Sequence, residues 1–204
     1  MQALLLIDLQ HDFLPGGALA VPDGDATVPA ANALIDGGTY DLVVATQDWH
    51  PADHGSFASQ HEGKTPGDQI DFHGLPQTLW PDHCVQDTDG AAFHLDLNTD
   101  AFDHVVQKGQ DPRVDSYSAF FSNGLDNGRR QDTGLDALLR ARGVTAVHVA
   151  GLALDYCVKF TALDAARLGY ATTVLPHACR AVNLQPNDGD QALEELRRHG
   201  VEID

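Results

Sequence analysis

Five short apolar runs punctuate the chain, at residues 3–7, 42–45, 104–107, 146–150 and 172–175, each four or five residues long and rich in Val, Leu and Ile. Runs of that length and composition predict strands buried on both faces. The longer stretches between them, at residues 26–35, 134–142, 155–168 and 191–199, read as helices. Leu135, Leu138 and Leu139 recur at i, i+3 and i+4, as one buried helical face requires. Gly143, Gly169 and Gly200 each follow a predicted helix, where C-terminal caps sit. Strand alternating with helix predicts an α/β fold: a parallel sheet between helical layers, a three-layer αβα arrangement of the Rossmann-like kind.

Residues 48–100 break the alternation. The stretch is rich in Gly, Pro, Asp and His and weakly periodic, yet it carries six of the eleven histidines and both tryptophans. A disordered segment rarely has that composition. A loop so long inside one domain is usually functional, so an ordered excursion over an active site is expected. The whole chain, residues 1–204, then reads as one domain, a size that buries a sizeable core without staples.

Charge narrows the partners. Thirty acidic residues against twelve Lys and Arg give a net charge of −18. An acidic surface is repelled by nucleic acid and by anionic membranes, so neither is expected as a partner; a small molecule is, and a homo-oligomer is left open. Three cysteines make poor material for a disulfide framework and point to a reducing, cytoplasmic setting. The apolar start is interrupted at Asp8, too early for a signal peptide, and no run approaches a membrane span.

Ligands of open α/β sheets bind beyond the carboxyl ends of the strands. Those ends carry Asp8, then Asp48 and His50, then Lys108, and after Gly151 the segment leading to Cys157. Cys157 falls at a predicted helix start, where unpaired amides favour a thiolate and can hold an oxyanion; a small buried hydrophobe is the plain alternative. Asp8 could take the thiol proton and Lys108 could steady the charges, although a turn carboxylate and a solvated lysine are the commoner roles. In Asp48-Trp49-His50, residues two apart in an extended segment point the same way and could grip one metal ion. A further histidine would complete the set, with His54, His61, His73, His83 and His94 all in contention.

These motifs together resemble one family. Residues 3–13, Asp48-Trp-His-Pro51, Trp80-Pro-Asp-His-Cys-Val85, Lys108-Gly109, Tyr117-Ser-Ala-Phe120 and Gly151-Leu-Ala-Leu-Asp-Tyr-Cys-Val158 are similar, in order, to signatures of the nicotinamidases, or pyrazinamidases, within the isochorismatase-like hydrolases. The resemblance implies that Asp8, Lys108 and Cys157 form a catalytic triad and that His83 joins Asp48 and His50 as metal ligand. It implies a pocket for a flat ring lined by Phe13, Trp80, Tyr117 and Tyr156. It also implies an oxyanion hole from the amides of Ala153 and Cys157, with a cis peptide between Leu152 and Ala153. The implied activity is hydrolysis of nicotinamide, and of pyrazinamide, through a cysteine thioester, serving NAD salvage. The cofactor would be one divalent ion, zinc before iron or manganese. His11, Leu154 and His177 depart from the family's usual residues. Two other readings stay open: a relative acting on a carbamoyl or ureido amide, and a non-catalytic metal- or thiol-binding module.

Overall fold

The computed structural model describes residues 1–125 and 128–204. All five predicted strands form, and they lie in one sheet: β1 (Gln2–Ile7), β2 (Leu42–Asp48), β5 (His104–Lys108), β6 (Ala146–Leu152) and β7 (Ala171–Arg180). A two-residue strand, β8 (Glu202–Ile203), completes the order β5-β2-β1-β6-β7-β8, parallel at every pairing. Ala3, Leu4, Leu5, Leu6 and Ile7 of β1 are fully or almost fully buried, which explains the unbroken apolar run at the sheet centre.

Helices α1 (Thr27–Asp36), α2 (Leu135–Ala141), α3 (Lys159–Arg167) and α4 (Asp188–Arg198) flank the sheet. Leu135 and Leu139 are fully buried, as their spacing predicts. The helix read from residue 155 divides in two. A π-helical turn, Leu154–Val158, comes first, and α3 begins at Lys159. Strand β7 outruns its predicted end because it bulges where its pairing with β6 shifts, between Val149 and Gly151, and then continues through Pro176 to Arg180. The proline masks that continuation in the sequence.

The excursion is ordered, and it contains a hairpin that the pattern does not reveal: β3 (Gln69–Phe72) and β4 (Leu75–Thr78), joined through His73 and Gly74, both at positive φ. Pro76 within one arm and a mostly half-exposed or exposed run in the other hide the alternation that marks a strand.

Among the described residues, no helix is long and apolar enough to cross a membrane. Strand order reverses between β1 and β6, so the crevice beyond their carboxyl ends is the topological switch point.

Candidate active site

Three neighbouring strands end on charged residues. Asp8 follows β1, Asp48 closes β2 and Lys108 closes β5, with Asp48 and Lys108 in register. All three are buried. The Lys108 ammonium lies 2.9 Å from Asp8 Oδ2, forms a short ion pair with Asp48 Oδ1, donates to the Ser116 carbonyl at 2.9 Å and reaches Cys157 Sγ at 3.5 Å. The Asp8 and Asp48 carboxylates and the Cys157 sulfur all lie within 4.8 Å of one another. The structure therefore brings Asp8, Lys108 and Cys157 into one cluster. The Asp48–Lys108 pair is an addition, invisible in sequence because it needs two strands placed side by side.

Burial dominates the electrostatics. It raises the Asp8 pKa, with Asp48 adding to the rise and Lys108 opposing it. Burial also pushes the Cys157 thiol well up, again against Lys108. The carboxylates of Asp8 and Asp48 add to that rise. Asp48 goes the other way, because Lys108 and His50 overcome its burial and hold it well below the usual carboxylate range. Lys108, facing both carboxylates, stays charged despite burial.

Two glycines make this convergence possible. Gly151 has φ +118°, and a Cβ there would stand 2.2 Å from the Ile7 carbonyl oxygen. Only glycine lets the end of β6 approach β1 so closely. Gly109, at φ +69°, leaves room for the His50 ring, which a Cβ would meet at 2.4 Å. Beyond Gly151 the Leu152–Ala153 peptide is cis, as the family resemblance implies.

Asp48 Oδ2 faces two histidines, His50 Nε2 at 3.6 Å and His83 Nε2 at 3.9 Å. These gaps are too long for hydrogen bonds, and one ion with bonds of about 2.0–2.2 Å spans them. Backbone carbonyls fix both rings. His50 Nδ1 sits 2.9 Å from Gly109 O and His83 Nδ1 sits 2.7 Å from Pro81 O. A carbonyl only accepts, so Nδ1 carries the proton and the Nε2 lone pair of the neutral ring is left facing Asp48. Burial and the neighbouring His50 depress the His83 pKa to about 4. The His50 pKa is raised, because Asp48 outweighs its burial.

His54 packs on His50 with ring centroids 4.3 Å apart, and its Nε2 is buried without a hydrogen-bond partner. With His50 and Asp115 it forms a second group of donors within 4.8 Å of one another. Among the described residues, His61, His73 and His94 belong to no such group.

Cys157, Asp48 and His83 line a single cavity together with Phe13, Trp80, Tyr117, Ala153 and Tyr156. The Trp80 and Tyr156 rings meet edge-on at 5.0 Å, and Tyr117 meets Tyr156 at 5.3 Å. Leu19, Asp115 and Val182 complete the wall. Asp115 was within reach of sequence reading, two residues before Tyr117; Leu19 and Val182 lie in loops and carry no local signal.

A family model described as "Isochorismatase domain" matches residues 2–203. The chain belongs to the isochorismatase family. It is 56% identical to an Escherichia coli nicotinamidase, over 99% of this chain and 93% of the relative. Its fold is similar to a solved Acinetobacter baumanii nicotinamidase–pyrazinamidase, with TM-score 0.92, 42% identity, and 99% and 94% of the two chains covered. A Pyrococcus horikoshii pyrazinamidase solved with zinc aligns at TM-score 0.78 and 37% identity, covering 100% of this chain and 98% of that one.

Proposed function

We propose that this family member hydrolyses nicotinamide to nicotinate and ammonia, and pyrazinamide to pyrazinoate, in the cytoplasm and in the service of NAD salvage. The observation that carries the proposal is one cavity whose wall holds the Cys157 thiol, the Asp48–His83 pair and a set of aromatic rings. A flat heteroaromatic amide has a group for each: a carboxamide for the thiol, a ring nitrogen for the histidine side, and two π-faces. Full-length similarity to nicotinamidases supports the same substrate.

In the proposed sequence, Asp8 takes the Cys157 proton when substrate displaces water. Its raised pKa makes it a stronger base than an ordinary carboxylate. The thiolate attacks the carboxamide carbon, and the amides of Ala153 and Cys157 receive the developing oxyanion. Asp8 returns the proton to the departing nitrogen, and ammonia leaves a thioester on Cys157. A water deprotonated by Asp8 then cleaves the thioester, and the proton returns to the thiol. Lys108 keeps the shifting negative charge compensated throughout, without itself losing a proton.

Asp48, His50 and His83 would hold a divalent ion, with His54 beside it. The fixed Nε2 lone pairs and the unpartnered His54 Nε2 fit that role, and nitrogen and carboxylate donors suit zinc, iron or manganese. The zinc in the Pyrococcus relative favours zinc. When bound, the ion supplies an anchor for the ring nitrogen, which orients the amide over the thiol.

The test is ammonia release from nicotinamide, pyrazinamide and benzamide by purified protein, with and without chelator. The two heterocycles should turn over, and chelation should slow both. Benzamide, which has no ring nitrogen, should be hydrolysed far more slowly. Benzamide as fast as nicotinamide would remove the orienting role of the ion. Inactivity on both heterocycles, with turnover of an aliphatic carbamoyl compound, would move the substrate to that class.

A further inference from the structure

The hairpin β3–β4 places the buried Gln77 behind the wall of the site. Gln77, 4% exposed, places its Nε2 within hydrogen-bond reach of three acceptors that share its two N–H bonds: Asp115 Oδ2 at 2.8 Å, its neighbour Thr78 O at 2.8 Å and, longest, the Tyr117 hydroxyl at 3.1 Å. Asp115 is equally buried, and its other oxygen accepts from the Ser116 amide at 2.8 Å. Both carboxylate oxygens therefore face N–H donors, the arrangement that keeps a buried carboxylate satisfied. The Tyr117 hydroxyl also accepts from Trp80 Nε1 at 3.2 Å. A single amide thus ties Asp115 and Tyr117 of the cavity wall, and Trp80 through the Tyr117 hydroxyl, to an element that contributes no lining residue of its own to that cavity.

Aromatic rings packed edge-on bind a flat ligand well only if their planes are fixed before it arrives, because ordering them on binding subtracts from affinity. We propose that Gln77 is a positioning residue that sets the affinity of the site for its heteroaromatic substrate, by locking Tyr117 and Asp115 in the cavity wall from the hairpin. This rests on the nicotinamide reading above. It goes beyond it in assigning substrate affinity to a residue outside the cavity and its lining.

Gln77→Leu should raise KM for nicotinamide about tenfold, the loss expected when one buried hydrogen-bonded partner is removed. It should leave kcat within about threefold, the signature of lost binding and intact chemistry. The decisive variants swap the polarity of the pair. Gln77→Glu sets two carboxylates against each other, and Asp115→Asn sets its NH2 against one of the two N–H donors that now face Asp115, from Gln77 or Ser116; each should raise KM and lower the melting temperature. The double variant Gln77→Glu/Asp115→Asn restores a donor facing an acceptor at position 115, though not at the Thr78 carbonyl, and should recover part of both losses, a coupling that only direct contact gives. An unchanged KM in Gln77→Leu, or a double variant no better than the worse single, would overturn the proposal. If the wild-type protein released no ammonia from nicotinamide, the functional reading would fail instead, and the four melting temperatures would still decide whether Gln77 and Asp115 act as a pair.

Discussion

The three cysteines share one residue type and one burial class, and their surroundings separate them. All are free and buried. Cys179 pairs across the sheet with Gly151 and has its thiol pushed up to about 12 by burial. Cys84 follows His83, and its amide donates to Asp12 Oδ2 at 2.7 Å. Of the three thiols, Cys157 is the one on the cavity wall and within 3.5 Å of Lys108. Cys157→Ala should therefore abolish ammonia release, a loss of at least about 10³-fold for a removed nucleophile, while the protein stays folded. Cys179→Ala should keep most of the activity, and Cys84→Ala should fall between. Wild-type turnover by folded Cys157→Ala would overturn the nucleophile. The residue types at this centre were legible because reactive groups stood at successive strand ends. Their shifted pKa values were not, because burial raises both Asp8 and Cys157 and depends on everything packed around them.

At the level of elements, the crossing of β6 into the π-helical turn sets where the thiol stands. Asp155, in that turn, accepts from the Val182 and Asn183 amides at 2.9 and 2.8 Å, so the turn also holds the loop that brings Val182 to the cavity. Gly151→Ala should test the close approach of β6 to β1. Its Cβ would collide with the Ile7 backbone, which cannot yield without moving the strand that carries Asp8. A loss of about 3 kcal/mol or more by denaturant unfolding is expected, in the range of severe backbone and overpacking effects. Gly63→Ala is the control: φ is +73° with nothing within 4 Å of the new Cβ, so only the left-handed backbone cost of roughly 1–2 kcal/mol applies. Equal losses in the two variants would show that approach to β1 does not constrain the site. The parallel strands were legible as apolar runs. The hairpin and the π-helical turn were not: one is half-exposed, and the other looks like an ordinary helix start until its hydrogen bonds are drawn.

Across the whole molecule, pH connects the metal-binding side of the site to stability. Burial and the neighbouring His50 bring the pKa values of His54 and His83 down to about 4. A histidine depressed in the fold favours its neutral form, so its contribution is full above the unfolded value near 6.5 and is lost as pH falls from there towards 4. The chelated protein should lose melting temperature across that window, and His83→Asn should show a shallower loss. An identical pH slope in the two proteins would refute the assignment. Metal content, followed by elemental analysis, should fall over the same window, as protons compete for the ring nitrogens. The sequence by itself determined the parallel α/β class and the residues at the strand ends, because buried strands leave an apolar signature and the chain order of the motifs is written in it. It also left five histidines in contention beside Asp48 and His50, and the choice among them from sequence came only by resemblance. The tertiary structure decided which side chains meet: Lys108 between two carboxylates, His83 opposite Asp48, and Gln77 behind Tyr117. Those contacts join residues from 35 positions apart (Asp48 and His83) to 100 (Asp8 and Lys108), and separations of that length are set by how strands and loops pack, which no local pattern records.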